Sequence, residues 1–78
     1  VTPSTRAVPA PIGLLSITFF NRGLSLSMLG RDEDAVADYS QAIKLNPKDS
    51  YAFIGRGASL SKLSRDEEAV ADYSHAIK

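Results

Sequence analysis

The chain has 78 residues, with nine basic and nine acidic side chains, one histidine and no cysteine. The balanced charge argues against a nucleic-acid partner, because proteins that bind nucleic acid usually carry an excess of positive charge. Without cysteine the chain has no thiolate metal site, and one histidine cannot form a ligand cluster alone, so we expect no metal and no cofactor.

The first 14 residues are predicted to form an irregular leader, because they contain three prolines and a single charge, Arg6. They could instead be the tail of a targeting peptide, although a basic start and a clear cleavage site are missing. The apolar-leaning run at 10–20 is shorter than the roughly 20 residues that a membrane helix needs, so we expect no membrane partner. The absence of cysteine permits a reducing compartment, and we expect a cytoplasmic location.

Two stretches of the chain, residues 17–44 and 51–78, are nearly the same sequence at an offset of 34 positions. Of their 28 aligned pairs, 19 are identical. A fixed period of this length indicates one structural unit used twice.

The first unit predicts two helices. Apolar residues recur at spacings of three, four and seven over about 15–29, which is one face of a helix. They are Leu15, Phe19, Leu26 and Leu29, with Gly23 as a small contact point on the same stripe. Gly30 tolerates the positive φ that ends many helices, and Asp32 is a predicted N-cap for a second helix over about 33–45.

The second unit repeats this pattern after Pro47, which cannot continue a helix. Asp49 or Ser50 is the predicted N-cap of a third helix over about 51–63, and a fourth helix is expected over about 67–78. We therefore predict an all-α domain over residues 15–78, built from four helices in two antiparallel hairpins.

The residues at matching positions of both units resemble the tetratricopeptide repeat family. In the first unit they are Phe19, Gly23, Leu26, Gly30, Ala35, Tyr39, Ala42 and Pro47, and in the second they are Phe53, Gly57, Leu60, Ala69, Tyr73 and Ala76. The resemblance implies a first repeat over about 16–49 and a second, truncated repeat over about 50–78. Repeats of this family stack into a short right-handed solenoid.

Some members of the family carry Arg-Gly in the first helix of a repeat and Asp-Tyr in the second. Here Arg22 stands with Asp38, and Arg56 stands with Asp72. Our hypothesis is an ion pair that joins the two helices of each repeat. The alternative is that these are independent, solvated charges.

No catalytic group emerges from the sequence, and we predict that the chain is not an enzyme. His75 takes the place that Gln41 has in the first unit, which favours an exposed polar residue over a general base. No serine stands in a glycine-flanked nucleophile turn.

By resemblance to the family, partners would bind in a concave groove formed by the first helix of each hairpin. The candidate groove residues are Ile17, Phe20, Asn21, Leu24 and Met28 from the first unit, and Tyr51, Ile54, Ala58, Ser61 and Lys62 from the second. The alternative is that part of this stripe packs against a neighbouring helix or the leader, which would make Leu24 and Met28 core residues.

The expected function is that of a protein–protein interaction scaffold that binds a peptide or a helix. Phe20 and Leu24 stand where family members that clamp a carboxylate have lysine and asparagine, so we expect an apolar ligand. One alternative is self-association into dimers or stacks through the end of the fourth helix, where Ala69, Val70, Tyr73 and Ile77 are expected to be available. Another is an accessory segment of a larger enzyme.

Overall fold

A computed structural model describes residues 11–78. Its four helices are α1 (Ile12–Met28), α2 (Asp32–Leu45), α3 (Ser50–Lys62) and α4 (Asp66–Ile77). The helices α1 and α2 pack as one hairpin, α3 and α4 pack as a second, and α2 packs against α3. No strand occurs within these described residues. The predicted all-α fold of two stacked hairpins is confirmed.

Helix α1 begins at Ile12, three residues before its predicted start. Pro11 immediately precedes it with φ −55° and ψ 143°, and the Pro11 carbonyl accepts a hydrogen bond from the Leu15 amide at 3.0 Å. Proline suits a helix entrance because it has no amide hydrogen to lose there. Residues 12–14, which we predicted to be irregular, are therefore helical. The rest of the predicted leader, up to residue 10, lies outside the described residues.

Both hairpins turn through the same backbone motif. Gly30 has φ 80°, as predicted, and Ser64 takes its place in the second hairpin with φ 62°. The Arg31 amide donates to the Leu26 carbonyl, and the Arg65 amide donates to the Leu60 carbonyl, both at 2.8 Å. Each of these bonds runs from an amide to the carbonyl five residues earlier, which defines a Schellman motif and satisfies a carbonyl that the helix end would leave unpaired.

One of the two predicted N-caps is confirmed. The Asp49 carboxylate accepts hydrogen bonds from the amides of Tyr51 and Ala52, at 3.0 and 3.3 Å. The prediction for Asp32 is wrong, because α2 already includes this residue and the N-cap position belongs to Arg31, whose side chain makes no capping hydrogen bond. The Schellman motif closes the turn at Arg31, and the Asp32 carboxylate instead accepts a hydrogen bond from Ser27 Oγ at 3.0 Å.

The core lies between the paired helices and consists largely of small residues around a few aromatic rings. Its buried hydrophobic members are Ala35, Tyr39, Ala42, Ala52, Phe53, Leu60 and Ala69. Leu15 and Leu29, which we expected on the buried stripe, are exposed at the two ends of α1. Ser16, next to Leu15, is buried instead, and its hydroxyl donates a hydrogen bond to the Ala42 carbonyl at 3.3 Å. Leu29 lies past the last helical residue of α1.

Candidate functional site

The ten candidate groove residues lie along α1 and α3, and we call them the groove face. Helical spacing places each set of five along one side of its helix. Most of their side chains are exposed, while Phe20 and Ala58 are half-buried. Leu24 and Met28 are not core residues, contrary to the alternative reading, since Leu24 is exposed and Met28 is 80% exposed.

Helices α1 and α3 meet near their carboxyl ends through a small polar network. Lys62 Nζ donates to Ser27 Oγ at 3.1 Å, and Ser59 Oγ also donates to Ser27 Oγ at 3.3 Å. Lys62 Nζ lies 3.8 Å from Asp32 Oδ1 as well. Lys62 is therefore held between the two hairpins, although we had placed it among the residues that contact a partner.

Phe20 also takes part in packing. Its ring lies 5.7 Å from the ring of Tyr39, centroid to centroid, with the two planes tilted by 54°. This is a favourable geometry for two aromatic rings. Phe20 therefore supports the core from the side of the groove face, and only part of its surface is available to a partner.

Two glycines on different helices make room for the ring of Tyr39. A Cβ atom added at Gly23 of α1 would lie 3.0 Å from Tyr39 Cδ1, and one added at Gly55 of α3 would lie 2.7 Å from Tyr39 Cε1. In the second hairpin, Gly57 faces Tyr73 as Gly23 faces Tyr39, at 3.0 Å. The Gly55 contact joins the two hairpins, and our sequence reasoning missed it.

The hypothesis of an ion pair within each repeat is confirmed. Arg22 donates to both carboxylate oxygens of Asp38, at 2.6 and 3.0 Å, and Arg56 does the same to Asp72, at 2.7 and 2.8 Å. Two parallel bonds of this kind match the planar fork of the guanidinium. The hydrogen bonds to the carboxylates raise the pKa of both arginines above the ordinary value of this side chain.

Arg56 also bridges the two hairpins. Its Nη1 donates to Ser40 Oγ of α2 at 3.0 Å, and its guanidinium lies 5.5 Å from the centroid of the Phe53 ring. His75 stacks on the same ring, with centroids 3.9 Å apart. His75 is exposed, as predicted, and it shields Phe53.

A cleft of about 340 Å³ is lined by residues of α2, α3, α4 and the turn before α4, none of which belongs to the groove face. Its lining residues are Val36, Ser40, Arg56, Leu60, Arg65, Glu68, Ala71 and Asp72. Both arginines in it are already paired, since Arg65 Nε lies 2.7 Å from Glu68 Oε2. This pairing lowers the pKa of Glu68 below its ordinary value. The charged groups of the cleft already pair with one another, so a charged ligand would have to displace one of these partners. The groove face is therefore the stronger candidate for a binding site.

Residues 11–78 contain no group of three acidic, histidine or cysteine side chains that could hold a metal ion. None of the helices α1 to α4 is long and apolar enough to cross a membrane.

The tetratricopeptide repeat family model matches residues 16–49. The matched segment spans α2, most of α1 and the turn toward α3. Its glycine–tyrosine contact and its arginine–aspartate pair recur 34 residues later in the second hairpin. A search among curated proteins gave no match. The tetratricopeptide repeat is a general protein–protein interaction motif. On the family match and the hairpin geometry together, this chain contains a tetratricopeptide repeat, at residues 16–49.

Proposed function

We propose that the chain is a non-enzymatic, cytoplasmic scaffold module that binds a peptide or a helix of another protein along the groove face. The observation that carries the proposal is a row of large apolar side chains exposed on two neighbouring helices. These side chains are Ile17, Leu24 and Met28 on α1, and Tyr51 and Ile54 on α3. Aromatic and methionine side chains on an accessible surface suit the docking of a partner.

The chemistry of the groove face favours an apolar ligand. Lys62 is its one cationic residue, and its ammonium group is already engaged with Ser27 and Asp32. Asn21 and Ser61 supply exposed polar groups beside the apolar row, which suit hydrogen bonds to a peptide backbone. A ligand with apolar side chains at alternate or helical spacing would therefore bind better than one recognised by a terminal carboxylate.

The proposal can be tested with peptides selected from a random displayed library against the full chain. We expect Tyr51→Ala and Ile54→Ala each to weaken the binding of the selected peptides by about tenfold, since each removes a large exposed contact. Ile12→Ala is the matched control, because Ile12 is an exposed apolar residue that helical spacing places on the other side of α1 from the groove face. Phe20 is unsuitable for this test, because its ring supports Tyr39.

Affinities would be measured by isothermal titration calorimetry, with circular dichroism to check that each variant keeps its helical content. Selected peptides that bind both groove variants as tightly as the unchanged chain would contradict the proposal. So would peptides that lose as much affinity with Ile12→Ala as with either groove variant.

A further inference from the structure

The hydroxyl of Tyr39 forms no hydrogen bond within residues 11–78, although this residue is only 1% exposed. The buried polar side chains that do form hydrogen bonds are Ser16, Asp38, Ser59 and Asp72. In this part of the chain no fully buried side-chain nitrogen or oxygen lacks a partner. The Tyr39 oxygen is therefore the point at which this ring reaches the surface.

The ring of Tyr39 lies between the two helices that form the groove face. Gly55 contacts the tip of the ring, because a Cβ atom added there would lie 2.7 Å from Tyr39 Cζ and 3.1 Å from Tyr39 Oη. Helical spacing puts Gly55 on the same side of α3 as Tyr51 and Ala58, which precede it by four residues and follow it by three. On α1, Phe20 of the groove face packs against the same ring.

Gly55 leaves the Tyr39 hydroxyl open to an approach from the groove face. A residue with a side chain at this position would cover the Tyr39 oxygen, since its first side-chain atom would lie only 3.1 Å away. Glycine has no such atom, and Gly55 itself is partly exposed. A polar atom of a bound ligand can therefore reach the hydroxyl beside the backbone of α3.

The surroundings of this hydroxyl favour a neutral acceptor. Burial raises the pKa of Tyr39 above its ordinary value, and the negative charge of Asp32 raises it further. The hydroxyl therefore keeps its proton and can donate it to a hydrogen bond. The same negative charge disfavours a carboxylate at this place, so a neutral carbonyl oxygen is the better acceptor.

A backbone carbonyl of this kind is free in an extended chain and occupied in a helix. Inside an α-helix each carbonyl already accepts a hydrogen bond from the amide four residues later. An extended peptide leaves its carbonyls available to the surface on which it lies. The hydroxyl of Tyr39 thus distinguishes between the two kinds of ligand that suit the groove face.

We propose that the groove face binds its ligand as an extended peptide, one of whose backbone carbonyls accepts a hydrogen bond from Tyr39 Oη. This inference rests on the proposed function, because it requires a ligand on the groove face, and it selects the peptide over the helix. Asn21 and Ser61 are exposed on either side and supply further hydrogen bonds to the same backbone. Tyr39 is therefore a specificity-determining residue as well as a member of the core.

The first test removes the hydroxyl alone, through Tyr39→Phe in the full chain. The probes are the peptides selected from the displayed library against the unchanged chain. We expect Tyr39→Phe to weaken their binding about fivefold in isothermal titration calorimetry, which is the effect of one lost hydrogen bond.

Tyr73→Phe is the matched control for this test. It removes the corresponding hydroxyl from α4, which contributes no residue to the groove face. Tyr73 is 38% exposed, whereas Ala69 of the same helix, which we expected to be available, is buried. Tyr73→Phe should leave the affinity for the selected peptides unchanged, and a loss equal to that of Tyr39→Phe would overturn the inference.

The second test locates the acceptor in the ligand. Each amide of one selected peptide is replaced in turn by an ester, because an ester carbonyl is a weaker acceptor than an amide carbonyl. At one position the ester should weaken binding to the unchanged chain and weaken it less in Tyr39→Phe, where the hydrogen bond is already absent. An ester series in which no position depends on Tyr39 would overturn the inference.

The fold and the ligand conformation are checked separately. Tyr39→Phe keeps the ring, so its midpoint of urea unfolding should equal that of the unchanged chain. A lower midpoint would overturn the inference, because the hydroxyl would then serve the fold. A gain of helical circular dichroism when the peptides bind would also overturn it.

Failure of this inference and failure of the proposed function give different results. If Tyr39→Phe binds the peptides as tightly as the unchanged chain while Tyr51→Ala weakens binding, the groove face remains the binding site and the role of the hydroxyl is overturned. If neither variant weakens binding, both proposals are overturned.

Discussion

Arg22 and Arg56 lie at equivalent positions of the two hairpins and form ion pairs with equivalent aspartates, but their surroundings differ. The Arg56 side chain is 24% exposed and contacts Ser40 of the preceding hairpin, whereas the Arg22 side chain is 66% exposed. Ion pairs are weakened by solvent, and an aspartate left alone is penalised most where water cannot reach it. The same two hydrogen bonds should therefore stabilise the two hairpins by different amounts.

We expect Arg56→Ala to lower the free energy of unfolding by about 1–2 kcal/mol, a figure reduced from the cost of breaking a fully buried pair because Arg56 is partly solvated. Arg22→Ala should cost less, since water can take the place of the exposed guanidinium beside Asp38. Urea unfolding followed by circular dichroism would measure both. The cycle of Arg56→Ala, Asp72→Ala and the double variant isolates the pair from other contacts of Arg56. Equal losses for the two arginine variants would show that the neighbouring hairpin does not strengthen the pair.

At the scale of helices, glycine sets how closely the elements approach. Gly23 and Gly57 let each tyrosine pack within its own hairpin, and Gly55 lets α3 approach the ring of Tyr39. Glycine lowers helix stability by roughly 1 kcal/mol relative to alanine. Here packing against the tyrosine rings offsets that cost. Alanine at these positions should therefore destabilise the chain, whereas alanine in place of a helical glycine without such contacts should stabilise it.

We expect Gly55→Ala to destabilise the chain by about 1–3 kcal/mol, because the added methyl group overlaps a buried ring and this outweighs the gain in helix propensity. Gly13→Ala is the matched control, since Gly13 lies in α1 with nothing within 4 Å of its added Cβ. It should stabilise the chain by up to about 1 kcal/mol. Thermal unfolding of both variants beside the unchanged chain would test this pair. A stabilising effect of Gly55→Ala would mean that the ring of Tyr39 moves aside easily.

The helices were predictable because each hairpin has its own periodic stripe and its own turn residues. Asp49 caps α3 and Gly30 adopts a positive φ, as the sequence indicated. The start of α1 was predicted too late, because Pro11 was assigned to the leader when it serves as a helix entrance. Asp32 was given the wrong position because the hydrogen bond from the Arg31 amide to Leu26, which closes the turn, cannot be seen in the residue types.

Although its role in binding stays a prediction, the composition of the groove face as two rows of residues was predictable, since spacing along a single helix determines which residues share a side. The contacts between hairpins were not, because they depend on how α2 and α3 are placed relative to each other. Gly55 and Lys62 belong to this second class. The sequence did hold one signal, since the two units differ at these positions, where Asn21 and Met28 stand in the first.

At the scale of the whole molecule, the four helices are not equally supported. Helix α2 packs against α1 on one side and α3 on the other, whereas α4 packs only against α3 among the described helices. The stability of a repeat protein is approximately a sum of unit terms and nearest-neighbour terms. Helix α2 thus has two neighbours that must separate before its amides open, and α4 has one.

We therefore expect amide hydrogen exchange, followed by nuclear magnetic resonance, to be slowest in α2 around Ala35, Tyr39 and Ala42, which are fully or almost fully buried. Amides of α4 should exchange at least about tenfold faster through local opening, since α3 is its one packing neighbour among the described helices. Exchange in α4 as slow as in α2 would contradict the unequal support, because it would mean that the four helices open as one unit.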